Sequence, residues 1–186
     1  MRRLIFLDTE TTGLDPEVHE ILELALVAED GSVLLHTRVR PERLEQADPR
    51  ALEVNGYSAE GWADAPAWAD VAPRVAELLR GAVAVGHNVA FDAEMLRAGL
   101  KRVDPELAGG VCHYRLDTLV LALEHLAPVG LERFNLGAVC DFLGVELKDA
   151  HTALADTLAA RAVYRKLARA GWLRRLGWRL RSWTRG

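Results

Sequence analysis

The chain has 186 residues, half of them hydrophobic, which is enough for one well-buried domain and short for two, and no stretch approaches the roughly 20 uninterrupted apolar residues of a membrane span. Its net charge of −4 is unevenly divided, with 14 basic against 27 acidic residues up to Asp156 and nine basic residues with no acid after it. An acidic body argues against a broad basic face for gripping nucleic acid, but not against an enzyme that meets polyanions through bound cations.

Met1-Arg2-Arg3 leads into a short apolar run that does not read as a cleavable signal, so a cytoplasmic protein is expected. Arg3 to Asp8 has strand length and no helical periodicity, and reads as a buried strand. Ile21 to Ala28 and Val33 to Val39 flank the turn signal Asp30-Gly31, giving with the first run an antiparallel meander of three strands. Pro41 to Asp64 is a polar connection carrying one short helix around Ala47 to Val54.

From Ala69 to Arg80 the apolar positions Val71, Val75, Leu78 and Leu79 share a helical face, Pro73 sits in the first turn, and Gly81 ends the helix. Ala82 to Val85 is a short buried strand, followed by a helix from Phe91 to Ala98 that Gly99 is expected to stop. Asp117 caps a helix through His125, and Asn135 caps another through Leu143 with Gly144 behind it. A long helix then runs from Thr152 to Ala170. Strands first, then alternating helices and strands, then helices, predict an α/β domain over residues 1–170, a mixed sheet with helices on both sides. Residues 171–186 form a basic amphipathic tail, its Trp172, Leu173, Leu176, Leu180 and Trp183 on one arc, suited to an acidic surface or to packing on the body. Cys112 and Cys140 are too few and too far apart for a disulfide framework and read as buried thiols.

Three stretches carry chemistry. Asp8 and Glu10, two apart at a strand end, leave the same face about 7 Å apart and suit a pair of hard, oxygen-seeking cations. Asp92 falls in the first turn of a helix that Asn88 can cap, after His87, which reads as a hydrogen-bonding residue at a strand exit. His151 and Asp156 lie at one helix end, offset so that both can flank one phosphate. Four carboxylates and a histidine make the set that holds two divalent cations, Mg²⁺ or Mn²⁺, and takes a proton from water, as phosphodiester hydrolysis requires.

These motifs, in this order and spacing, resemble those of the DEDDh (DnaQ-like) 3′-to-5′ exonucleases, a family that includes the proofreading epsilon subunit of bacterial replicative DNA polymerase. The resemblance covers residues 3 to 168, and Leu131 to Gly144 also resembles the helix preceding the family's third motif. It implies an RNase H-like fold with a five-stranded sheet in the order 3-2-1-4-5, where the residue pattern alone reaches only a mixed sheet. It implies Asp8, Glu10, Asp92 and Asp156 as metal carboxylates and His151 as general base. Thr11, Thr12 and Leu14 would line the nucleotide pocket, Asn88 and Phe91 would contact sugar and phosphate, and Val54, Asn55 and Gly56 would cover the base. Family members often carry His where this chain has Asn55.

The implied activity is release of nucleoside 5′-monophosphates from the single-stranded or frayed 3′ end of DNA, in proofreading or repair, with a DNA polymerase as a partner. RNA is the alternative substrate, and a non-catalytic nucleic-acid-binding subunit the alternative of another class. The Thr-Thr-Gly-Leu after Glu10 leans toward the DNA branch.

Overall fold

The computed structural model describes residues 2–168. The apolar run after Arg3 becomes β1 (Leu4–Thr11), followed by β2 (Ile21–Ala28) and β3 (Val33–Arg38) as an antiparallel meander. A short helix α1 (Pro49–Val54), whose Asp48 side chain caps the Arg50 amide, and α2 (Trp68–Leu79) lead to β4 (Val83–Gly86). After α3 (Val89–Val103), β5 (Tyr114–Asp117) closes the sheet, and α4 (Thr118–Leu126), α5 (Leu136–Leu143) and α6 (Ala153–Ala168) complete the described chain. The sheet order is β3-β2-β1-β4-β5, with β4 parallel to both β1 and β5, the RNase H-like arrangement expected.

β1 is the middle strand of the sheet, which is covered on both sides. Ile5 and Leu7 pack with Val75, Leu79, Met95 and Leu96 of α2 and α3 on one face. Phe6 packs on the other with Val27 and Val85, its ring edge-on to Tyr164 of α6 at 5.4 Å. A further apolar layer, Leu126, Val139, Leu143, Val163 and Leu167, joins α4 and α5 to α6. Successive β1 residues alternate between these layers, so Leu4, Phe6, Asp8 and Glu10 all point toward α6.

The structure corrects two expectations. Gly99 does not stop α3, which runs on to Val103. A Cβ at residue 99 would lie 3.0 Å from the Trp68 indole nitrogen, so this glycine lets α2 and α3 approach closely and is not a cap. Asn88 precedes α3 in the left-handed conformation, φ 67°, and makes no side-chain cap; its backbone N–H instead donates to Asp117 Oδ1 at 2.9 Å. The fifth strand of the expected sheet, which the residue pattern did not locate, is Tyr114–Asp117, mostly exposed and with no apolar run. The last helix is described to Ala168, and the tail reading for 171–186 lies outside the described residues.

Candidate active site

The pleat of β1 brings Asp8 and Glu10 to one face, and the first turn of α6 brings Asp156 to meet them. One carboxylate oxygen from each of the three lies within 4.8 Å of the others. Asp92 arrives from the opposite layer, where β4 feeds α3 beside β1. It is buried, and its Oδ1 accepts hydrogen bonds from the Thr9 amide at 2.9 Å and the Thr9 hydroxyl at 2.8 Å. These two bonds anchor α3 to the middle of β1, next to Asp8. Asp92 lies outside the tight group of three, yet close enough for its charge to act on Asp8 and Glu10.

Crowded, poorly solvated carboxylates resist ionisation. Burial, and then the charges of Asp92, Glu10, Asp156 and Glu23, hold the Asp8 carboxyl well above the usual range. Burial followed by Asp156, Glu23 and Asp92 pushes Glu10 up to about 7. Asp92 is likewise raised to about 7 by burial, against the opposing pull of the Thr9 hydrogen bonds. Burial raises Asp156 too, opposed by the amide and ring of His151 and by His87. Its Oδ1 is buried with no hydrogen-bond partner among the described residues. An orphaned carboxylate oxygen inside a knot of mutually repelling acids is what a divalent cation satisfies, and an all-oxygen donor set suits Mg²⁺ or Mn²⁺.

His151 is exposed on the loop before α6, at φ 67°, beside the carboxylate of Asp156. His87 is a structural residue, as its sequence position suggested. Its Nδ1 meets the Thr118 hydroxyl at 3.0 Å and its Nε2 the Phe134 carbonyl at 2.7 Å, fastening the β4 exit to α4 and to the segment before α5.

The residues expected around a nucleotide fall into two sets. Leu14, 78% exposed, and Val54, 50% exposed, are apolar side chains left open to solvent. Phe91 is half-buried and Asn88 exposed, both at the start of α3. Thr11 and Thr12 are buried and internally bonded: the Thr11 hydroxyl donates to the Gly13 carbonyl at 2.8 Å, and the Thr12 hydroxyl accepts from the Glu20 amide at 2.9 Å. Asn55 donates from Nδ2 to the Thr11 carbonyl at 2.9 Å, tying the end of α1 to the end of β1. The Leu14 loop is held from behind by Arg102, which donates to the carbonyls of Pro16 and His19.

Thr9, the partner of Asp92, and the pair Glu23 and His36 are not among the site residues expected from the sequence. Glu23 is buried on β2 directly opposite Glu10, and its Oε1 accepts from His36 Nε2 at 2.8 Å. A glutamate inside the otherwise apolar run ILELALVA was the available signal, because an interior charge is costly unless something engages it.

Comparison with known proteins agrees with this geometry. The exonuclease family model (RNase_T) matches residues 5–164. The chain is 31% identical over 173 residues to DNA polymerase III subunit epsilon of Pasteurella multocida, covering 87% of this chain and 66% of that protein. It is 32% identical over 165 residues to DNA polymerase III PolC-type of Thermotoga petrophila, where the match spans 86% of this chain and only 11% of that much longer protein. Among solved structures, Escherichia coli exonuclease I in complex with a dT13 oligonucleotide superposes with a TM-score of 0.75 at 23% identity, covering 91% of this chain and 41% of that one. Exonuclease I from Methylocaldum szegediense gives 0.75 at 26% identity, covering 95% of this chain and 42% of that one. The chain belongs to the exonuclease family, among its DnaQ-like 3′-to-5′ members.

Proposed function

We propose that this protein is a metal-dependent 3′-to-5′ exonuclease that hydrolyses the terminal phosphodiester of a DNA strand and releases nucleoside 5′-monophosphates in proofreading or repair. The observation that carries this reading is the meeting of Asp8, Glu10 and Asp156 within 4.8 Å, from two strand positions and a helix far apart in sequence. Two divalent cations, Mg²⁺ or Mn²⁺, would lower the pKa of a bound water and neutralise charge on the phosphate and leaving oxygen.

The chain's own residues supply the rest. Asp8, Asp92 and Asp156 hold one side of the cluster, and Asp8 with Glu10 the other. His151, exposed beside Asp156, takes the proton of the attacking water. Leu14 and Val54 offer apolar surface to the terminal base and sugar, Asn88 and Phe91 sit at the start of α3 where the phosphate would lie, and Asn55 keeps α1 in place through the Thr11 carbonyl. Thr11 and Thr12 shape the pocket through their backbone, since their hydroxyls are already engaged. The polymerase relatives favour DNA as substrate and a DNA polymerase as partner. Among the described residues no helix is long and apolar enough to cross a membrane.

The test is degradation of 5′-labelled single-stranded DNA and RNA oligonucleotides with free or blocked 3′ ends, with and without Mg²⁺ or Mn²⁺. Stepwise shortening of unblocked DNA, dependent on metal, is expected. Internal cutting, or equal loss of blocked strands, contradicts the proposal; preference for RNA transfers it to that substrate.

A further inference from the structure

We propose that Glu23, steered by His36, is a positioning carboxylate that strengthens cation binding at the Asp8, Glu10 and Asp156 cluster from outside the ligand group. The proposal rests on the metal-dependent reading of that cluster.

Glu23 is buried in the middle of β2, among Ile21, Leu22, Leu24, Ala25 and Leu26. An interior carboxylate on a central strand is expensive to keep there. Its cross-strand partner in the antiparallel register is Glu10, and directly opposed residues share a face with their Cβ atoms about 5 Å apart. Opposed like charges destabilise a strand pair, so this arrangement works against the sheet on its own account. It becomes favourable when a positive charge sits between or beside the two acids. α6 packs over both strands on this face, so Glu23 and Glu10 lie under the helix that delivers Asp156. The charge of Glu23 is felt at Asp8, Glu10 and Asp156 alike.

Glu23 is nevertheless absent from the three residues whose oxygens lie within 4.8 Å of one another. With Oε1 already held by His36, Glu23 would act by adding negative potential and by accepting from a cation's water, not by ligating directly. His36 on β3, side chain 39% exposed, fixes it: the 2.8 Å hydrogen bond from Nε2 occupies Oε1 and so sets the carboxylate plane. Carboxylates and imidazoles that orient a metal site from one layer out commonly change metal affinity by about 10–100-fold when replaced.

The experiment is a Mg²⁺ titration read by thermal melting of the full chain, comparing wild type with Glu23→Gln, Glu23→Asp and His36→Gln. Wild type should gain stability with Mg²⁺. Glu23→Gln should need about tenfold more Mg²⁺ to reach half of its rise, Glu23→Asp should recover part of that, and His36→Gln should shift the midpoint the same way by less. A Glu23→Gln midpoint equal to wild type overturns the proposal while leaving the exonuclease reading intact. If Glu23→Gln does not fold, His36→Gln decides by the same criterion. A wild-type protein whose melting ignores Mg²⁺ overturns both.

Discussion

Replacing Glu10 by Gln should make the metal-free protein more stable while removing one carboxylate of the proposed cation cluster. The Glu10 carboxyl titrates near 4.5 when free and is pushed up to about 7 in the fold by burial and by Asp156, Glu23 and Asp92. A carboxyl whose folded pKa is raised favours the fold when protonated. Its contribution is full below the unfolded value, is lost as pH rises from about 4.5 toward 7, and above that leaves an ionised group that the fold holds at a cost. A displacement from 4.5 to about 7, at about 1.36 kcal/mol per pH unit, sets an upper bound of about 3.4 kcal/mol. Glu10 is half-buried, and screening by solvent brings this to about 1–3 kcal/mol. For a chain of this size that corresponds to roughly 3–10 °C in Tm. Melting in EDTA at about pH 8 should therefore show Glu10→Gln above wild type by that amount, and melting at about pH 4.5 should show the two nearly level. Mg²⁺ at the higher pH should stabilise wild type more than the variant, narrowing the gap. A variant less stable than wild type in EDTA at about pH 8, or equally shifted at both pH values, would show that the Glu10 carboxylate does not burden the metal-free fold.

Three further outcomes follow from individual contacts. His151→Ala should lower turnover by about 10²–10⁴-fold while the Mg²⁺-dependent rise in Tm persists, because the ring lies on an exposed loop and is not one of the clustered oxygen donors; undiminished turnover removes it as the base. Gly99→Val should destabilise the protein by about 1–3 kcal/mol in urea titration, since even a Cβ at that position meets the Trp68 ring at 3.0–3.3 Å; a neutral result means α2 and α3 can separate at no cost. Burial pushes the Cys112 thiol up to about 12 and the Cys140 thiol up to about 11, so neither should react with a thiol reagent at about pH 8 until the protein is unfolded, and rapid native labelling of either contradicts its burial.

Much of this architecture was legible in the chain because local signals and burial agree. Ile21–Ala28 is followed by the turn signal Asp30-Gly31 and is buried nearly throughout, so its extent is legible in the sequence. Asp117 and Asn135 cap the helices expected of them, accepting from the amides of Leu119 and Ala138. The exceptions all depend on what lies across space. Gly99 carries the chain signature of a helix end, and only the Trp68 ring packed against it explains a glycine inside α3. Tyr114–Asp117 is a four-residue edge strand with exposed side chains, and its membership follows from pairing with β4, which leaves no periodic trace. At the site, the spacing of Asp8 and Glu10 announced a shared face. The hydrogen bonds from Thr9 to Asp92, and the placement of Glu23 opposite Glu10, arise from register and could be seen only once the strands were paired.

Acids separated along the chain should form one cation-binding cluster. Diffraction from crystals soaked in Mn²⁺, with anomalous differences collected at the manganese edge, tests it most directly. Anomalous density enclosed by Asp8, Glu10, Asp92 and Asp156 is expected, as is its disappearance in Asp8→Ala crystals of unchanged fold. Manganese bound elsewhere with this pocket empty, or density that survives Asp8→Ala undiminished, would contradict it.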